Sequence, residues 1–339
     1  MQHVAIDLGS KESQVCVRSA EGKILEEKKH PTRRLHELFQ TWPTSRVILE
    51  TSSEAFRIAD AARAASHEVR VVPATLVKQL GVGDRGMKTD LRDARKLSEV
   101  STRIELPSVH IPSAETRELR AMLRSRETLL KSRTQLVNRV KSWLRTQLVR
   151  LRAGSTATLP ERLRSHAEST SQSIPVHIEE TLVVLEALTT QINKSNNRAR
   201  ALALANPVCK RMMTIPGVGP ITSLTFVAIV EKHERFSQTH HLQSYLGLTP
   251  GENSSSQRER RTGITKAGPT SMRRTLVQAA WSAKRTNEHA PMVKWANQIE
   301  ERRGKYIAIV ALARKMAGIM LALWRNNTTY SPLEAVAPK

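Results

Sequence analysis

Residues 3–27 read HVAIDLGSKESQVCVRSAEGKILEE, and this stretch decides the fold class. His3–Leu8 and Ser13–Arg18 are rich in apolar, strand-forming residues, and Lys23–Glu27 is a third extended run. Turn residues at Gly9–Lys11 and at Glu21–Gly22 join them, so the spacing predicts three consecutive strands. Further on, RVILE at 46–50 is a short buried strand, and Glu68–Val72 is another, ended by Pro73. Helical spacing of apolar residues fills the gaps at Leu35–Trp42, Glu54–Ala65 and Thr89–Thr102. Three early strands followed by alternating helices and strands predict an α/β domain whose sheet is of mixed direction.

Beyond residue 110 the pattern turns helical. Glu115 to Arg152 is one long helix in which Leu123, Leu130, Val137, Leu144 and Leu151 recur every seven residues. Met122, Leu129, Leu136 and Trp143 repeat one step earlier, which makes a double stripe wide enough to face a partner helix. Small, polar and Pro residues break the pattern at Ala153–Pro160 and Ser169–Pro175. A second helix from Val176 to about Ala205 then carries Ile178, Leu182, Leu185 and Ile192 on one face. The pair is expected either to fold back within the chain or to form an intermolecular coiled coil. After Asn206–Pro207 come the turn PGVGP (216–220), an apolar helix Ile221–Val230, Leu242–Leu248, a basic loop Gly251–Gly263, and helices at Ser271–Arg285 and roughly Ala290–Trp324. The expected organisation is a sheet domain at 1–110, a helical coiled-coil or oligomerisation region at 111–205, and a mostly helical C-terminal domain at 206–339.

Charge points to the partner. Across 339 residues, 54 Lys and Arg face 31 Asp and Glu, a formal charge of +23, with a sequence pI near 10.8. That balance calls for a polyanion, nucleic acid before an anionic membrane. The three parts carry +3, +8 and +12 in chain order, so the acids concentrate in the sheet domain and the free positive charge lies behind it. Only 4% of residues are aromatic, which argues against a protein that mainly stacks single-stranded bases. Cys16 and Cys209 are too few for a disulfide framework or a structural zinc site and fit a cytoplasmic protein. The first residues lack a basic start followed by an apolar run, so no secretory leader is expected. Tyr306–Trp324 is interrupted by Arg314 and Lys315 and reads as amphipathic, so no membrane span is expected.

Four acids are placed where chemistry needs them. Asp7 and Glu50 each end an apolar strand, and Asp90 and Asp93 lie three residues apart at the start of a helix, on one face. Taken singly, each also reads as a turn former, a cap or an acid favoured by a helix N-terminus. Together on one sheet edge they form a hard oxygen donor set for one or two Mg²⁺ ions, the arrangement used for phosphodiester cleavage. In the C-terminal domain, PGVGP followed by an apolar helix resembles a helix-hairpin-helix turn, in which Gly217 and Gly219 would let backbone N–H groups approach a phosphate; a tight turn without a ligand is the equal alternative. The basic loop holds Ser254, Ser255 and Ser256 among Arg258, Arg260, Arg261 and Lys266, and Arg273 and Arg274 open the next helix. Guanidinium groups there suit a nucleic-acid backbone and could stabilise charge on a phosphate under attack by a serine.

The segments AIDLG, VILETS and KTDLRDARKL resemble the N-terminal DEDD domain of insertion-sequence-110-type transposases. TIPGVGPITS, LQSYLGLTPGENSSSQRERRTGITKAG and MRRTLVQAAW resemble that family's C-terminal transposase domain. The resemblance covers roughly 2–110 and 210–285, with a helical middle between. It implies a RuvC-like fold in which Asp7, Glu50, Asp90 and Asp93 bind Mg²⁺, and a catalytic serine that links transiently to a DNA 5′-phosphate. It also implies a site assembled between protomers of a dimer or tetramer, and a guide RNA from the element's ends. Aligning LTP before the loop and ITKAG after it places the nucleophile at Ser255. Ser256 then stands where the family commonly has Gly, and Ser254 and Ser256 remain open. The alternative enzyme is a Holliday-junction-type nuclease, which needs the acids but no serine. A sugar-kinase or actin-like ATPase would need a second Asp-Gly phosphate loop, and none is present.

Overall fold

Buried apolar runs bring the five expected strands of the first part into one sheet. In the computed structural model, which describes residues 1–79, 90–252 and 261–332, the chain opens with β1 (Gln2–Asp7), β2 (Glu12–Arg18) and β3 (Ile24–Pro31). There follow α1 (Leu35–Phe39), β4 (Ser45–Glu50), α2 (Ala55–Ala64), β5 (Glu68–Val72), α3 (Ala74–Gln79) and α4 (Asp90–Arg103). The sheet order is β3-β2-β1-β4-β5. β1 pairs with β4 and β4 with β5 in parallel, whereas β2 runs antiparallel to both its neighbours.

Strand alternation sorts the side chains between two layers of helix. Val4, Ile6, Val15, Val47, Leu49 and Val71 pack on Leu35 and Phe39 of α1 and on Ala55 and Ala59 of α2. Ala5, Ile48 and Val72 pack on the other face against Val77 of α3 and Leu97 of α4. A sheet covered on both sides explains why its central strands are apolar runs rather than alternating ones. β3 extends to Pro31, past the expected end at Glu27. Its added residues Lys28, Lys29 and His30 carry no apolar signal because β3 is an edge strand, and charge on an edge prevents unwanted pairing.

The chain divides into two compact units, Met1–Ser113 and Ala114–Lys339. The second contains α5 (Ala114–Thr146), α6 (Leu159–Ser169), α7 (Val176–Ala205), α8 (Pro207–Met212), α9 (Pro220–Val230) and α10 (Thr239–Tyr245). A short hairpin of β6 (Pro250–Glu252) and β7 (Arg261–Ile264) precedes α11 (Thr270–Thr286), α12 (Pro291–Arg303) and α13 (Lys305–Asn326). The stretches 114–205 and 206–339 thus share one unit, in which α7 packs along α8 and α9, while 111–113 belong to the first.

The C-terminal part of the seven-residue stripe packs within the chain. Val137, Val140 and Leu144 of α5 pack on Ile178, Leu182 and Leu185 of α7, and Leu159 and Leu163 of α6 close the cluster. Arg164 ties α6 to α7 through Glu179 at 2.6 Å and Glu186 at 2.5 Å. The expected single helix 290–324 is two helices. Gly304 has φ +84° and ψ 162°, a conformation open to glycine alone, and it turns α13 back onto α12. α13 also corrects the membrane expectation: by length and composition it is long and apolar enough to cross a bilayer. Here Leu312, Met316 and Met320 bury that apolar surface against Met272 and Leu276 of α11 and Met292 of α12.

Candidate active-site edge and nucleic-acid interface

Helix α4 is fixed on the sheet by buried hydroxyls. Ser101 Oγ lies 2.7 Å from His3 Nδ1, and Ser98 Oγ lies 3.2 Å from Cys16 Sγ and accepts from Arg18 Nε at 2.9 Å. Cys16 stands opposite Ala5, so α4 runs antiparallel to β1. From Ser101 back to Asp93 the helix rises about 12 Å, and from His3 to Asp7 the strand rises about 13 Å. Asp93 therefore sits level with Asp7. Asp7 has the parity of His3 and Ala5, and Glu50 that of Ile48, so both acids belong to the sheet face that α4 covers. β1 and β4 are parallel neighbours with Ile6 opposite Leu49, which places Asp7 beside Glu50.

Backbone geometry thus brings Asp7, Glu50 and Asp93 to one edge of the sheet. Asp93 is almost wholly buried, and Asp7 and Glu50 are half-buried. Among the described residues, no three His, Cys, Asp or Glu side chains gather closely enough to hold a metal ion. Asp90 begins α4, but its side chain lies outside the described residues, so the quartet is not described as a set. The donor chemistry fits a hard cation, since every candidate ligand on this edge is a carboxylate.

In the second unit, the hairpin pairs Pro250 with Ile264 and Glu252 with Arg261. Ser254, Ser255, Ser256, Arg258 and Arg260 lie outside the described residues, as does the side chain of Arg261. Lys266 is exposed, with φ +56°. Arg273 braces the backbone, because its Nη1 donates to the carbonyls of Leu246, Ala267 and Gly268 at 3.2, 2.7 and 3.0 Å and so holds the loop after the hairpin.

Gly217 packs against a helix. Its φ is +81°, and a Cβ built there would lie 2.3 Å from the Ala279 carbonyl oxygen and 2.6 Å from the Ala283 nitrogen. The glycine is thus required for close contact with α11, whether or not a phosphate approaches the turn. Gly219 caps α9 with nothing within 4 Å of a built Cβ. Gly217→Ala is expected to destabilise the second unit by about 2–5 kcal/mol, combining left-handed strain with overpacking. Urea unfolding followed by circular dichroism measures it, and an unchanged midpoint would refute it.

Arg274 donates from Nη1 to Glu127 Oε1 of α5 at 2.6 Å. The Arg274 hydrogen bond, with a second from Lys131, holds the Glu127 carboxyl down at about 2. Because the folded value is depressed, the stabilisation is complete above the ordinary carboxylate value of 4.5 and is lost as pH falls through about 2. The difference in melting temperature between the wild type and Glu127→Gln is expected to be constant above pH 5 and to shrink toward pH 2. A difference independent of pH would count against the pairing. Glu127 and the arginines beside it match no motif in the sequence, although Arg120, Arg124, Glu127 and Lys131 form a single helical stripe.

Comparison with known proteins places both units. Residues 4–148 match a DEDD transposase model of the IS110 type, and residues 209–293 match the Transposase IS116/IS110/IS902 family. The transposase for insertion sequence element IS1111A of Coxiella burnetii is 31% identical over 248 residues, covering 72% of this chain and 68% of that protein. A probable family 20 transposase of Pseudomonas aeruginosa is 28% identical over 306 residues, covering 88% and 89%. The transposase for insertion sequence element IS1328 of Yersinia enterocolitica is 23% identical over 342 residues, covering 97% and 98%. A sheet with an acidic edge, a basic helical body and these matches together define a transposase. The chain belongs to the IS116/IS110/IS902 family.

Proposed function

We propose that the chain cleaves and rejoins DNA during transposition of an insertion sequence, with Mg²⁺ held at Asp7, Glu50, Asp90 and Asp93 of a RuvC-like domain and Ser255 as the nucleophile. One observation carries the metal half of this reading. Two parallel neighbouring strands end on carboxylates that share the sheet face under α4, the helix that bears Asp93. The strand order, with β2 alone reversed, supports the RuvC-like assignment. When bound, Mg²⁺ supplies Lewis-acid stabilisation of charge on phosphate oxygens. The protein supplies direction: strand pairing fixes Asp7 and Glu50, and burial of Asp93 limits its rotamers.

At the serine, the hydroxyl gives up its proton and its oxygen bonds to phosphorus. The bond from phosphorus to the 3′ oxygen breaks, the 3′ oxygen leaves with a proton, and the 5′-phosphate remains on the protein. Reversal onto a second 3′ hydroxyl rejoins the strands. Family resemblance supports a guide RNA and assembly of a dimer or tetramer, and a net charge of +23 is compatible with holding both nucleic acids.

The test incubates the purified chain with Mg²⁺ and end-labelled DNA carrying the chromosomal flanks of its coding region. A protein–DNA species that survives denaturation supports the serine reading. Cleaved ends without attached protein would replace it with the junction-nuclease reading. Sequencing RNA that co-purifies with the chain tests the guide.

A further inference from the structure

Four guanidinium groups, those of Arg120, Arg124, Arg126 and Arg274, line one cavity of about 280 Å³ walled by α5, α9 and α11. Glu127 is the one carboxylate among its lining residues. The four cations are held differently. Arg120 closes the end of α9, with Nε donating to the Ala228 carbonyl at 2.7 Å and Nη2 to Ile229 at 3.1 Å. Arg126 donates to Asn196 Oδ1 at 2.6 Å, and Arg274 to Glu127. The Arg124 guanidinium has no hydrogen bond or ion pair among the described residues.

Positive charge in this cavity exceeds what Glu127 neutralises. Burial, and then the neighbouring charges of Arg274 and Arg133, push the Arg126 guanidinium below its ordinary value, and burial does the same to Arg120. Guanidinium groups nevertheless stay charged, so the repulsion is relieved by an anion rather than by loss of a proton. Leu123, Ile221 and Ile229 form apolar walls that strengthen any ion pair made inside. The lining selects the ligand: four guanidinium groups against one carboxylate favour a phosphate over an uncharged base. Guanidinium forks match phosphate oxygens two at a time.

We propose that this cavity seats one backbone phosphodiester of a bound nucleic acid, held by Arg124, Arg126 and Arg274, with Glu127 occupying Arg274 until the phosphate displaces it. The proposal rests on the nucleic-acid partner of the function above and is independent of its metal and serine chemistry.

Fluorescence anisotropy of a labelled DNA duplex and of a labelled RNA duplex, without divalent metal and across a potassium chloride series, tests it. Against at least one duplex, the Arg124→Ala/Arg126→Gln double variant is expected to flatten the slope of log affinity against log salt by about 1, the share of one phosphate contact, and to weaken binding at least about tenfold. The duplex affected identifies the source of the phosphate. Inorganic phosphate is expected to raise the melting temperature of the wild type above that in chloride of equal ionic strength, and the double variant is expected to lose this shift. Arg124→Ala alone removes no hydrogen bond, so its smaller flattening of the slope, a fraction of about 1, keeps the test valid if the double variant melts early. Arg124→Lys should retain most of the slope, and Glu127→Gln should tighten binding. Unchanged slopes on both duplexes would overturn the pocket while leaving the nucleic-acid partner intact. A wild-type chain that binds neither duplex would overturn the partner itself.

Discussion

Asp93→Asn is expected to reduce DNA strand cleavage on the order of a thousandfold, because losing a ligand of the proposed Mg²⁺ site removes several kcal/mol of transition-state stabilisation. The substitution keeps volume and shape at a position that is 3% exposed, so it changes charge and donor strength before it changes packing. Asp7→Asn should act alike, and at a half-buried strand end it carries less risk to folding. DNA binding by both variants should remain close to the wild type, since phosphate contacts are made by Lys and Arg, and the excess of those lies beyond residue 110. Cleavage on labelled DNA, binding without metal and a thermal melt together separate chemistry from stability. Full cleavage by both variants would remove the metal site from the proposal.

Ser255→Ala is expected to abolish the covalent protein–DNA species altogether, since no phosphoserine bond can form without the hydroxyl. The substitution exchanges a hydroxymethyl group for a methyl group and adds no bulk, and a thermal melt compared with the wild type checks that the fold is unaltered. Three serines stand in a row, and the comparison among them is the informative part. An adduct that persists in Ser255→Ala but disappears in Ser254→Ala or Ser256→Ala would move the nucleophile by one residue. An adduct that persists in all three would remove serine chemistry from this loop.

Much of the sheet unit is legible because its signals are local. Apolar runs of five to seven residues, closed by Gly, Pro or charged pairs, mark β1, β2, β4 and β5 to within a residue or two. β3 reads short because an edge strand need not be apolar. In the helical unit, spacing delimits α7 at Val176–Ala205, whereas α6 is hidden between two breaks. A helix of 11 residues whose Leu159 and Leu163 bury against residues of α5 and α7 has little periodic signal of its own. The break at Gly304 is likewise hidden, since one glycine inside apolar helical spacing is compatible with either a kink or a tolerated residue.

The sequence alone determined composition-level and local properties: an α/β start, two long helices, a polyanion partner, and the four acids with a serine-bearing basic loop. These depend on residue type, spacing and net charge, none of which requires a contact map. Tertiary structure alone decided that α4 runs against β1 so that Asp93 lies level with Asp7. It also decided that the stripe packs on α7 from Val137 to Leu144, that Gly217 is pressed on α11, and that Arg120, Arg124 and Arg126 share a cavity with Arg274 about 150 residues further along. Each of these depends on which surfaces meet when distant segments bury apolar area together, and that is a property of the folded chain.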